Sequence, residues 1–136
     1  MKTQLIRNFV VVLFAAASVY AQGSHRLIVQ VPFGFHVGAS ILPQGEYTVD
    51  TDAGPNMVRL RSADSKSSVI IQAISVQTLT TTSQGKLIFN KYGDEYFLSQ
   101  VWTAGSNRGS ELRKTKREFE VASHARRGLQ PVLASK

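Results

Sequence analysis

The residues equipped for chemistry are few and scattered. Three histidines occur, His25, His36 and His124, and no two stand at a spacing that converges on a metal; a helical two-histidine pair or a clustered turn set is what such a site requires. His36 falls among the even positions of a strand-like run, a polar face that predicts a solvent-facing side chain. Asp50-Thr-Asp-Ala-Gly54 begins like a calcium loop, but the position that should carry a bidentate glutamate is Arg61, so the segment reads as a turn closed by an Asp50 or Asp52 side chain. Gly105-Ser-Asn-Arg-Gly109-Ser110 has three residues between its glycines and no lysine after them, which departs from a phosphate-cradling loop and reads as a linker. No serine sits in a Gly-x-Ser-x-Gly elbow or a Ser-x-x-Lys start. The acids are few and lie mostly in turns or on the expected helix, where solvation explains them, so nothing points to paired-carboxylate hydrolysis. The pattern predicts no enzyme and no cofactor.

One group of residues could bind. Arg113, Lys114, Lys116 and Arg117, followed by Arg126 and Arg127, concentrate positive charge near the C-terminus. A solvated helix face accounts for such a run, with Lys114 and Lys116 four residues before Glu118 and Glu120. Contact with an anionic partner is the functional alternative. The whole chain has 16 basic and 9 acidic residues, a formal charge of +7.

The N-terminus narrows the class of partner. Lys2 and Arg7 precede the apolar run Phe9 to Val19, and Val19-Tyr20-Ala21 supplies a small-residue exit. This predicts a secretory leader over residues 1–21, with Sec-type export to the periplasm or the medium, because the run is shorter than the roughly 20 apolar residues of a membrane span. Loss of Lys2 and Arg7 with the leader leaves a charge of about +5. An exported cation is suited to an anionic envelope component or another exported protein, not to nucleic acid. The chain has no cysteine, so neither a disulfide nor a lipid-bearing thiol contributes.

The elements that must position these residues read as strands. Leu27, Val29, Val31, Phe33, Phe35 and Val37 alternate with mostly polar positions, which predicts a half-buried strand over 26–37 that bends or breaks near Gly38. Leu42-Pro43-Gln-Gly45-Glu46 predicts a three-residue hairpin loop pairing Leu42 with Glu46 and Ile41 with Tyr47. A short strand follows over 57–61, then Val69 to Leu79, apolar on both faces and suited to a central strand. Gly93-Asp94 between Lys86–Tyr92 and Glu95–Thr103 predicts a two-residue type II′ hairpin, with Asn90 opposite Phe97 and Phe89 opposite Leu98. Both faces of that hairpin carry aromatics, including Tyr92, Tyr96, Phe97 and Trp102, so each face needs a cover. A helix over 111–123, capped by Ser110 and presenting Leu112, Phe119 and Ala122, supplies one cover. Residues 124–136 read as a basic, disordered tail.

Four stretches resemble a family of small exported bacterial proteins of unknown function: Val31-Pro-Phe-x-Phe-x-Val-Gly38, Leu42-Pro-x-Gly-x-Tyr-x-Val49, Tyr92-Gly-Asp-x-Tyr-Phe-Leu98 with Val101-Trp102, and Gly109 through Glu118. The resemblance spans most of residues 22–136 and implies export and a compact β-rich domain without an assigned activity. That family commonly has an aspartate between the two phenylalanines, where this chain has Gly34. The expected architecture is one all-β, mostly antiparallel domain over 22–123, a small sandwich or partly closed barrel of about six or seven strands with one C-terminal helix. The expected role is non-catalytic binding or a structural part of the envelope; a lipocalin-like carrier of an apolar ligand is second, a hydrolytic enzyme last.

Overall fold

The computed structural model describes the backbone of residues 9–14, 26–81 and 84–134, and side chains over 10–12, 26–81 and 84–125. Ten strands and one helix follow in order: β1 (Phe9–Phe14), β2 (Arg26–Val31), β3 (Phe35–Val37), β4 (Ser40–Leu42), β5 (Gly45–Asp50), β6 (Met57–Ser62), β7 (Ser68–Gln77), β8 (Lys86–Tyr92), β9 (Glu95–Trp102), β10 (Arg108–Leu112) and α1 (Lys116–Ala134). The strands form one curled, half-barrel sheet in the order β1-β8-β9-β10-β7-β6-β5-β2, with β3 and β4 attached beside β9. All pairings are antiparallel except the contact of β3 with β9 at His36 and Phe97. The chain is therefore mostly antiparallel β with a C-terminal helix.

The period of two places the core. Leu27, Val29, Val31, Phe35 and Val37 are all buried, as are Tyr47 and Val49 of β5 and Val58 and Leu60 of β6. Phe35 meets Tyr47 and Phe89 edge to face at 5.3 and 5.5 Å, and Phe33 meets Phe89 likewise at 5.2 Å. Side chains of this size contribute about 1.5–3 kcal/mol each when fully buried, and the edge-to-face geometry adds to that.

The β8–β9 hairpin has the expected register throughout: Tyr92 with Glu95, Lys91 with Tyr96, Asn90 with Phe97 and Phe89 with Leu98. Gly93 has φ +62, which the first position of the two-residue loop requires. Beyond Phe89 the pairing resumes at Ile88 with Gln100, so Ser99 is the extra residue of a bulge. Asp52 N–H donates to Asp50 Oδ1 at 2.9 Å, the side-chain turn expected there.

Several expectations are corrected. Among the described residues there are ten strands, nine of them within 22–123, where about six or seven were expected. The first long run divides at Pro32-Phe33-Gly34, because proline offers no N–H to a ladder, and the reversal falls at Gly38-Ala39, with Gly38 at φ +59. Leu42 pairs with Phe35, not Glu46, and β5 pairs with β2; Pro43 and Gly45 therefore connect β4 to a different neighbour instead of closing a hairpin. β7 is central in the sheet, yet Ile70 and Ile74 face outward, exposed.

The helix is also displaced. Residues 108–112, including Ser110 and Leu112, form β10 between β7 and β9, and α1 begins at Lys116. Gly109 permits this: a Cβ there would lie 2.6 Å from the Trp102 ring, so only glycine lets the two strands close over that side chain. Thr115 caps α1 instead of Ser110, its Oγ1 accepting from Glu118 N–H at 3.1 Å. The helix continues to Ala134 through most of the stretch read as a disordered tail. The expected leader lies outside the described residues except for positions 9–14, which form β1 on the edge of β8.

Candidate functional site

Helix α1 lies against the outer face of the β8–β9 hairpin near its tip, and two carboxylates fix it there. Glu118, in the first turn, is 4 % exposed; its Oε2 accepts from Asn90 Nδ2 at 3.0 Å and from Tyr92 O–H at 3.1 Å. Its position near the helix N-terminus also favours negative charge. Glu95 works from the sheet side: Oε1 accepts from His36 Nε2 at 3.1 Å and Oε2 from Arg117 at 2.9 Å. The second cover required by the hairpin aromatics is thereby supplied, with Tyr92 and Phe97 buried beneath it and Trp102 buried farther along β9. Lys114 and Lys116 do not pair with Glu118 and Glu120 as expected; Glu118 is turned inward, and Glu120 faces Arg117 at 4.0 Å.

His36 is not solvent-facing. Its side chain is 15 % exposed and its ring stacks on Phe97 at 4.1 Å and 10°. A histidine oriented by a carboxylate is half of a nucleophile-activating pair. Here the ring face is covered by Phe97 and the carboxylate also holds Arg117, so the group works as a clasp joining β3, β9 and α1.

The basic run lies where α1 begins. Arg113, Lys114 and Lys116 are exposed, whereas Arg117, though 57 % exposed, is tied to Glu95 and Glu120. The structure thus separates the four expected contact residues into three outward cations and one engaged in the clasp. Phe119, expected to pack inward, is 60 % exposed, with Lys114 Nζ 6.0 Å from its ring centre. The physical reason is phase: a helix starting at Lys116 turns Glu118, Val121, Ala122 and Ala125 toward the sheet. Arg126 and Arg127 continue α1, and their side chains lie outside the described set. The remaining singled-out residues are structural: Gly93 and Asp94 turn the β8–β9 hairpin, and Pro43 accepts through its carbonyl from Tyr47 O–H.

A cavity of about 430 Å³ opens elsewhere, lined by Thr51, Asn56, Ser75, Thr103, Arg108 and Ser110 among others. Its walls come from β6, β7, β9, β10 and the loops between strands, so residues far apart in sequence meet there, which is why the linear pattern did not mark it. Hydroxyls and one guanidinium offer hydrogen bonds; among the described residues no carboxylate or histidine lines it. Burial first, and the Asp64 charge second, push the Tyr47 hydroxyl up, while the Ser62 hydroxyl and the Lys66 amide hold Asp64 down. Both belong to core and turn, not to cavity or helix. Among the described residues no group of three or more His, Cys, Asp or Glu could hold a metal ion, and no helix is long and apolar enough to cross a membrane. No protein-family model, curated protein or solved structure matches the chain.

Proposed function

We propose that the protein is an exported, non-catalytic binding protein of the cell envelope or extracellular space, and that Arg113, Lys114 and Lys116 contact an anionic envelope component. The reading joins the leader-like N-terminus and the resemblance to small exported bacterial proteins with one structural observation that supports it: the exposed cations Arg113, Lys114 and Lys116 cluster at the start of α1. Cations at a helix N-terminus oppose its dipole, so their placement does not serve the helix. They stand outward beside an exposed Phe119, an arrangement suited to a surface that is both anionic and partly apolar. A carrier of apolar ligands is less well supported, because interior positions are filled by Phe35, Tyr47, Leu87 and Phe89.

The test is cosedimentation with vesicles of phosphatidylglycerol or of phosphatidylcholine at low and high salt. Binding should favour phosphatidylglycerol and weaken with salt. Replacing Arg113, Lys114 and Lys116 together by Gln should remove about 3 kcal/mol, on the order of 100-fold, since each cation near an anionic surface contributes roughly 1 kcal/mol. Binding that is indifferent to charge, salt and substitution removes the anionic-surface reading.

A further inference from the structure

The edge of β8 is covered by the N-terminal strand. β1 pairs along nearly all of β8, from Phe9 opposite Lys91 to Phe14 opposite Lys86. It also contacts β2, the strand at the opposite end of the sheet, and so lies beside both ends of the curl. The start of β8 confirms that closeness: a Cβ on Gly85 would touch Leu27 of β2 at 3.4 Å. Val11, opposite Phe89, packs partly against the core, whereas Val10 and Val12 are 57 % and 40 % exposed. The seat thus asks for backbone hydrogen bonds along one side and an apolar residue at the inward position. It asks little of the outward ones.

β1 lies entirely within residues 1–21. On the reading that those residues are removed at export, the mature chain loses this strand and keeps its seat. We infer that the vacated edge of β8 binds an extended segment of another exported protein by strand addition, the segment being about six residues long, rich in β-branched residues and apolar at the position facing Phe89. Leu87 and Phe89, fully buried beside β1, supply the apolar floor, and the outward-facing N–H and C=O groups of β8 supply the ladder. Unpaired edges otherwise invite indiscriminate pairing, and β2, which contacts β1, would lie beside the added strand. A second copy is the less suitable occupant, since its own β8 carries a folded sheet behind it that would run into β2.

The experiment begins with the protein purified from the native envelope or medium, whose intact mass reports whether Met1 to Ala21 is gone. A chain still starting at Met1 refutes the export reading and leaves β1 in place; the strand-addition proposal then fails with it, for a reason visible in the mass alone. With cleavage verified, hydrogen exchange is followed at the amides of Lys86–Lys91 that do not bond to β9. These should exchange freely in the cleaved chain and be slowed at least 10-fold by a synthetic peptide carrying Phe9–Phe14 between solubilising lysines. The same peptide with Val11→Pro should give no protection, because proline removes a ladder donor. In the uncleaved chain the same amides should already be protected, and Val11→Pro there should release them. Three results overturn the proposal: protection in the cleaved monomer before peptide is added, a cleaved chain that is a dimer through β8, or peptide binding that leaves these amides unchanged.

Discussion

The β8–β9 hairpin and the β3–β4–β5 segment each place a glycine-bearing reversal between apolar runs, yet only the first pairs across the loop that was expected to close it. In the hairpin, two residues at Gly93-Asp94 leave the flanking strands no alternative to each other, and seven residues on one side find partners on the other. In the second region the connection Pro43-Gln44 is equally short but has no residue at φ near +60, and β5 leaves the three-residue β4 for the six-residue β2. The exchange buries Leu27 against Val49 and Val29 against Tyr47, while Ile41, left on β4, stays 70 % exposed. Length alone does not decide: the Gly93-Asp94 loop has the left-handed glycine that a two-residue hairpin needs, whereas Pro43-Gln44 lacks it and leaves the choice to the longer apolar partner.

The strongest way to break this comparison is to remove the side chain on which the two regions meet. Phe89 of β8 is fully buried and meets Phe33 and Phe35, from the segment around β3, in T-shaped contacts. Phe89→Ala should destabilise the protein by about 3–5 kcal/mol, as large-to-small changes in a packed core do. Urea unfolding at equilibrium measures it. A loss below about 1 kcal/mol would mean the two regions are held separately and the shared aromatic contact is incidental.

A smaller effect should separate the hairpin from its cover. Glu118→Ala deletes the acceptor of Asn90 and Tyr92 and leaves two donors in a buried setting, a cost of about 1–3 kcal/mol. Because the hairpin register is set by its own loop, the loss should appear as faster amide exchange in α1 while β8 and β9 amides keep their order of protection. Equal loosening of helix and hairpin would show that the cover, not the loop, holds the pairing.

What could be read from the residues follows the same division. The alternation of Leu27 to Val37, the Gly93-Asp94 register and the need for a cover over Tyr92 and Phe97 are local signals, and each matches the fold. The start of α1 was misplaced because Ser110 and Thr115 are both good caps, and what selects between them is Gly109 fitting against Trp102 across the sheet. The candidate cations were legible as a cluster, but the assignment of Arg117 to Glu95 depends on a partner 22 residues away. The polar cavity and the His36 clasp were not legible, since both assemble from strands brought together by the curl of the sheet.

The finest test compares the two glycines of the two reversals. Gly38 and Gly93 have nearly the same φ, +59 and +62, so alanine at either meets the same backbone penalty, about 1–2 kcal/mol. They differ in surroundings: nothing lies within 4 Å of a Cβ on Gly93, whereas one on Gly38 would come 2.5 Å from Ile71 Cδ1. Ile71 is partly buried against the core, so it must leave its rotamer at a cost of roughly 0.5–1.5 kcal/mol beyond the backbone term. Gly38→Ala should therefore be the more destabilising by that margin in chemical denaturation. Ile71→Val deletes the obstructing atom, and in a double-mutant cycle it should cancel the excess at Gly38 while leaving Gly93→Ala unaffected. Equal costs for the two glycines, with no coupling to Ile71, would show that the β3–β4 reversal is as self-contained as the β8–β9 loop and that its dependence on the rest of the sheet begins only at Pro43.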